Sequence, residues 1–168
     1  LAARGVDLGG VRPLGRPGVR TWLLYEGAAR RVVHHLGCPT HAQVSPVPAD
    51  IPNTYAAARA FHVAPIPLES QRLLLEHLAA VRRDALVSVD PHEPVREETL
   101  TEWRAVLENA DAFFPSEDEL ALDGPVTPGA HGPPVTTRLV TARTRWIAIK
   151  RGGNGGYVHD ARTGRTHE

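Results

Sequence analysis

Apolar positions along the chain fall into short runs of two kinds, and their alternation defines the elements. Residues 20–26 (RTWLLYE) and 30–36 (RRVVHHL) are rich in aromatic and aliphatic side chains, with Gly27-Ala28-Ala29 between them to turn the chain. This pattern predicts an antiparallel hairpin. Trp22, Leu24 and Glu26 alternate with Leu23 and Tyr25, so neither face is polar and partial cover is expected on both. Residues 37–57 are proline-rich and read as an irregular connection. From Ala58 the pattern changes. Residues 58–64 (ARAFHVA), 85–89 (ALVSV), 111–114 (DAFF) and 145–149 (RWIAI) read as strands, the first three closed by Pro65, Asp90-Pro91 and Pro115. Between them, residues 68–83 place Leu74, Leu75, Leu78 and Val81 on one helical stripe, and residues 97–110 do the same with Leu100, Trp103, Val106, Leu107 and Ala110. Residues 116–122 read as a helix start, 123–134 as a loop, 135–143 as a short helix, and 157–159 with 165–167 as a closing hairpin around Thr163-Gly164. Strands alternating with amphipathic helices predict right-handed βαβ crossovers and a parallel sheet in a three-layer α/β/α sandwich.

Composition narrows the class. A chain of 168 residues suits one domain, which on folding removes roughly 70% of the extended surface from water. With 42% hydrophobic and 23% charged residues, wholesale disorder and fibrous repeats are excluded. The 19 basic side chains balance 19 acidic ones, so no net field favours a nucleic acid or an anionic membrane. Cys38 alone closes no internal disulfide, and no apolar run reaches the roughly 18 residues of a spanning helix. A soluble, cytoplasmic protein is expected. Lys150 is the only lysine, the other basic residues being arginine. The sequence opens on Leu1 and contains no methionine, which predicts a piece of something longer.

Ligands of an open parallel sheet bind beyond the carboxyl ends of its strands. That rule selects Pro65; Asp90, Pro91 and His92; Pro115, Ser116 and Glu119; and Lys150, Arg151 and Gly152. Ser116-Glu117-Asp118-Glu119 carries two readings: a capping box closed between Ser116 and Glu119, or an acidic group at the ligand crevice able to hold Mg²⁺. Gly152-Gly153-Asn154-Gly155-Gly156 is either a tight turn or a loop that lets a nucleotide approach the backbone. It is neither a Walker loop nor a dinucleotide fingerprint. His34, His35, Cys38 and His41 lie close together, but neighbouring strand residues face opposite ways and no further ligand cluster closes a tetrahedral site. His62, on an apolar strand, is expected in the core with a partner. No Ser/His/Asp or Cys/His arrangement stands out.

Taken in order, these strand ends resemble a family. The run Val87-Ser88-Val89-Asp90-Pro91-His92 is similar to the strand ending in Asp-Pro-Asn of ribokinase-like (PfkB) carbohydrate kinases. Residues 110–119 (ADAFFPSEDE) resemble that family's Asn-x-x-Glu segment, and residues 146–158 (WIAIKRGGNGGYV) its strand and glycine turn. Gly5-Val6-Asp7 and the 20–36 hairpin are similar to part of its small β-sheet lid. The resemblance implies ATP-dependent phosphorylation of a sugar or related alcohol. It assigns residues 1–57 to a lid-type hairpin and connection, and 58–168 to the nucleotide side of a kinase domain. Asp90, Ser116, Glu119, Lys150, Gly152 and Gly155 would line the ATP site, with Glu119 organising Mg²⁺. Two departures stand against it: Ser116 and His92 occupy positions where the family has asparagine. The family's Gly-Ala-Gly-Asp segment, which supplies the base, and its N-terminal glycine-rich substrate segment do not occur. The expectation is therefore an inactive portion of a longer kinase cut at both ends, with an exposed lid or sheet edge that would favour a homodimer. The alternatives are a non-catalytic ribokinase-like binding or regulatory protein and a different α/β enzyme.

Overall fold

A computed structural model describes residues 1–26, 29–82, 84–124 and 134–168. Residues 27 and 28 of the expected hairpin turn, Arg83 at the expected end of the first long helix, and most of the expected 123–134 loop lie outside the described residues. Strands β1 (Thr21–Glu26) and β2 (Ala29–His34) pair antiparallel as a sheet of their own, with Thr21 opposite His34. Every residue of β1 is exposed, Trp22 to 60% and Tyr25 to 68%. The cover expected on both faces is thus not supplied by the described residues. Next come α1 (His41–Val44), opened by Thr40 and Gln43 bonding each other's backbone N–H, and two 3₁₀ turns over Pro48–Asp50 and Asn53–Ala57.

The remainder builds the main sheet. In chain order it comprises β3 (Ala60–Val63), α2 (Leu68–Val81), β4 (Leu86–Val89), β5 (Val95–Arg96), α3 (Leu100–Leu107), β6 (Ala112–Phe113), β7 (Leu120–Ala121), α4 (Thr136–Leu139), β8 (Trp146–Lys150), β9 (Gly156–Asp160) and β10 (Arg165–His167). The sheet runs β10-β9-β8-β6-β4-β3; β3, β4, β6 and β8 are mutually parallel, and β9 and β10 extend it antiparallel. The four parallel strands are laid down in one direction, so right-handed crossovers place α2, α3 and α4 on the same face. On that face Val63, Val89, Phe113, Ile147 and His159 form one row in register across five strands. They pack with Val87 and Ile149 beneath Leu74, Leu75, Leu78, Trp103, Val106, Leu107 and Leu139. The alternate residues face away, and Leu86 among them is 51% exposed. No helix among the described residues is long and apolar enough to cross a membrane.

Three sequence expectations need correction. Val81 lies off the buried stripe of α2, and Gln71 takes a fully buried place on it. α3 is preceded by a 3₁₀ turn (Glu97–Thr99) and stops at Leu107 instead of Ala110. The N–H of Asp111, which a longer helix would return to Leu107, donates to Val87 in β4 at 2.7 Å, while the hydroxyls of Thr141 and Thr144 donate to the Leu107 carbonyl at 3.1 and 3.0 Å. Residues 116–122 do not start a helix. A single 3₁₀ turn (Glu117–Glu119) leads into β7, which pairs parallel with β5 and buries Leu120.

Candidate functional site at the carboxyl rim

Because β4, β6 and β8 are parallel neighbours, the residues that leave them share one rim. Asp90 follows β4, Ser116 stands three residues beyond Phe113 at the end of β6, and Lys150 ends β8. Ser116 and Lys150 form a parallel bridge, and the Lys150 N–H donates to the Pro115 carbonyl at 2.9 Å. Lys150 also reaches across β6 to β4, a span of roughly 10 Å at ordinary strand spacing. Its Nζ donates to both carboxylate oxygens of Asp90, at 2.7 and 2.9 Å. The sole lysine of the chain thus clamps the two outer strands of the rim, which its long flexible stem permits.

Glu119 lies on the same rim and is half-buried. Its Oε2 accepts from the Ser116 N–H at 2.6 Å, and its own N–H donates to the Ser116 carbonyl at 3.0 Å. The first is the reach-back half of the capping box and the second closes the 3₁₀ turn; together they commit one carboxylate oxygen. The adjacent Glu117 lies 3.6 Å from Arg151 Nε. Tyr157, buried in β9, has its phenol pushed up by burial and, secondarily, by the Glu117 charge.

The turn joining β8 to β9 is built from glycine for stated reasons. Gly155 has φ of 76° and Gly152 of 56°, the left-handed region. Gly156 sits so close to β8 that a Cβ would stand 2.5 Å from the Ile149 carbonyl oxygen. Gly152, Gly153 and Gly155 have nothing within 4 Å of where a Cβ would be. The turn is therefore open toward solvent. Beside it is a cleft of about 490 Å³ lined by Ala148, Lys150, Gly152, Gly155, Val158 and His167, among others.

The rim thus brings together Asp90, Ser116, Glu119, Lys150, Gly152 and Gly155. His92 is exposed and bonds His41, Nε2 to Nδ1, at 3.0 Å. The other histidines part company: His35 stacks on Trp22, while His34 stands edge-on to His41. Among the described residues no group of three His, Cys, Asp or Glu side chains could by itself hold a metal ion. His62 is a correction: it is exposed, bonds Ser88 Oγ at 3.0 Å and stands edge-on to Phe114. Strand alternation turns it away from buried Val63.

Sequence reasoning missed Gln71. From the buried face of α2 its Nε2 donates to the carbonyls of Ala64, at 3.2 Å, and Asp90, at 2.6 Å. It therefore fixes the ends of β3 and β4 from below the rim. A polar residue within an otherwise leucine-rich stripe is the signal that could have found it.

A mostly parallel sheet crossed by helices, with a separate antiparallel hairpin, is the ribokinase-like α/β fold. The chain is similar to the solved structure of ribokinase from Giardia lamblia, with a TM-score of 0.62 at 14% identity over 90% of this chain and 46% of that one. It is likewise similar to the nucleoside kinase of Burkholderia thailandensis, solved in complex with inosine, with a TM-score of 0.60 at 14% identity over 89% of this chain and 44% of that one. The chain spans less than half the length of either kinase. No protein-family model matches the sequence, and no curated protein matches it. At this identity the likeness is one of fold.

Proposed function

We propose that the rim binds the phosphate end of ATP and that the chain is the nucleotide side of a kinase acting on the hydroxyl of a sugar or related alcohol. The observation that carries this reading is the convergence of Asp90, Ser116, Glu119 and Lys150 with an open glycine turn on one edge of a ribokinase-like sheet. Residues 58–168 supply that edge, and residues 1–57 the hairpin and connection beside it. The turn offers backbone close to a polyanion, and the apolar flank of the cleft at Ala148 and Val158 suits a flat base. Lys150 orients phosphate by charge, released from Asp90 as the nucleotide arrives.

Magnesium on nucleotides is held by one or two carboxylates together with phosphates and water. A single carboxylate, Glu119, fits that pattern although no all-protein metal cluster exists among the described residues. When bound, the ion neutralises phosphate charge. The Gly-Ala-Gly-Asp segment is not among these residues, so the reading makes the chain a nucleotide binder that does not by itself turn over an alcohol.

Calorimetric titration tests this. The chain should bind MgATP, and Glu119→Gln should weaken MgATP about tenfold while leaving metal-free ADP unchanged. Glutamine preserves the capping acceptor, so the melting temperature should stay near wild type. Wild-type protein that ignores millimolar nucleotide would sink the proposal. That outcome would favour the second reading, a non-catalytic binder, which draws support from the internal partners of Lys150, Glu119 and His92.

A further inference from the structure

We propose that His41 and His92 form a proton-controlled latch tying the β1–β2 side of the molecule to the carboxyl rim, closed when the pair is neutral and opened when both rings are protonated. Three elements meet there. His34 is the last residue of β2, His41 the first of α1, and His92 follows β4 two residues after Asp90. The His41 and His92 rings are 4.5 Å apart between centroids, their facing nitrogens 3.0 Å apart, and His34 meets His41 edge-on at 5.2 Å.

A contact between two ring nitrogens needs one N–H and one lone pair. A pair of imidazolium rings has only donors at those positions, so the second proton turns the bond into a repulsion. Among the described residues, the carboxylates beside His92 are engaged elsewhere. Asp90 is held by Lys150, and Glu93 accepts from the Leu68 N–H at 3.4 Å. On the α1 side Ser45 Oγ donates to the His41 carbonyl at 2.7 Å, and Arg12, paired with Asp50, reaches the Ser45 carbonyl. On the hairpin side His35 is stacked on Trp22. Among the described residues, no carboxylate hydrogen-bonds His34, His41 or His92. Burial first, then the neighbouring His92 and His34, push His41 below the ordinary histidine value. A histidine depressed in the folded state favours the closed form fully above about pH 6.5 and loses that contribution as pH falls below it.

The latch is independent of the nucleotide reading, because it needs no ligand. Its test is NMR on the full chain. The Cε1–H signal of His41 should titrate below the ordinary histidine value. Amide exchange in β2, corrected for intrinsic rates and referenced to β4, should become about tenfold faster at pH 5.5 than at pH 7.5. His92→Gln, which keeps an uncharged acceptor, should abolish that pH dependence. A His41 midpoint at or above the ordinary histidine value in wild type, β2 protection equal at the two pH values, or an unchanged dependence in His92→Gln would each overturn the latch. Should the variant misfold by circular dichroism, the wild-type titration decides.

Discussion

Gln71 shows how much a single side chain can contribute to the rim. It is fully buried, and its amide holds two backbone carbonyls at the ends of adjacent strands. Gln71→Leu keeps the volume and strands both carbonyls, at a cost of about 2–4 kcal/mol. Chemical denaturation should read that loss, and a variant as stable as wild type would show the two bonds to be dispensable. Other single residues differ in how far the sequence exposes them. Lys150 stands out as the lone lysine, and its placement at a strand end is legible. Its partner is not, because Asp90 lies sixty residues away and only the parallel pairing of intervening β6 brings them within reach. His62 misleads for a local reason: its neighbours are apolar, but period-two alternation decides which of them is inside.

At the scale of elements, the β-strands closed by proline are plain in the sequence, the two-residue β6 included, and β5 and β7 are not. β5 and β7 have no periodicity to detect and exist because Val95 and Leu120 pair across a long separation. The capping box at Ser116 reads as a helix start, yet the buried Leu120 and Leu122 pull the chain extended after one turn. A second long-range tie is invisible for the same reason. Glu97, in the turn before α3, accepts from both Nη atoms of Arg138 in α4 at 2.6 Å and from the Asp123 N–H at 3.0 Å. Arg138 first, and the Asp123 N–H second, hold the Glu97 carboxyl at about 2, well below its ordinary 4.5. A carboxyl lowered in the folded state contributes stability above its unfolded value and loses it as pH falls toward the folded one. The melting-temperature gap between wild type and Glu97→Gln should therefore be constant above about pH 5 and close progressively toward pH 2. A gap that does not narrow on acidification would show that the clamp adds nothing to folding.

The whole molecule is tied at the opposite edge of the sheet by one carboxylate. Asp111, just before β6, accepts from Arg82 at 3.0 Å and from the Val87 N–H at 2.8 Å and pairs with Arg143 at 3.1 Å, so it joins three successive crossovers. The Arg82 side chain is only 4% exposed. Asp111→Ala leaves a buried guanidinium without its counter-charge, which costs about 3 kcal/mol and lowers the melting temperature by roughly 6–12 °C. A thermal melt within a degree or two of wild type would contradict this. The α/β order of the fold was legible because each apolar run has a length and period of its own. The uncovered faces of the hairpin were not, since exposure depends on what packs alongside. One consequence of the strand order concerns how any ligand is gripped. In doubly wound sheets a natural gap opens where successive helices depart to opposite sides. Here β3, β4, β6 and β8 proceed without such a reversal, so no gap of that origin parts the loops between them. Whatever settles on this edge must be held by the glycine bend and the side chains that frame it, which makes recognition a property of loop shape, not of helix separation.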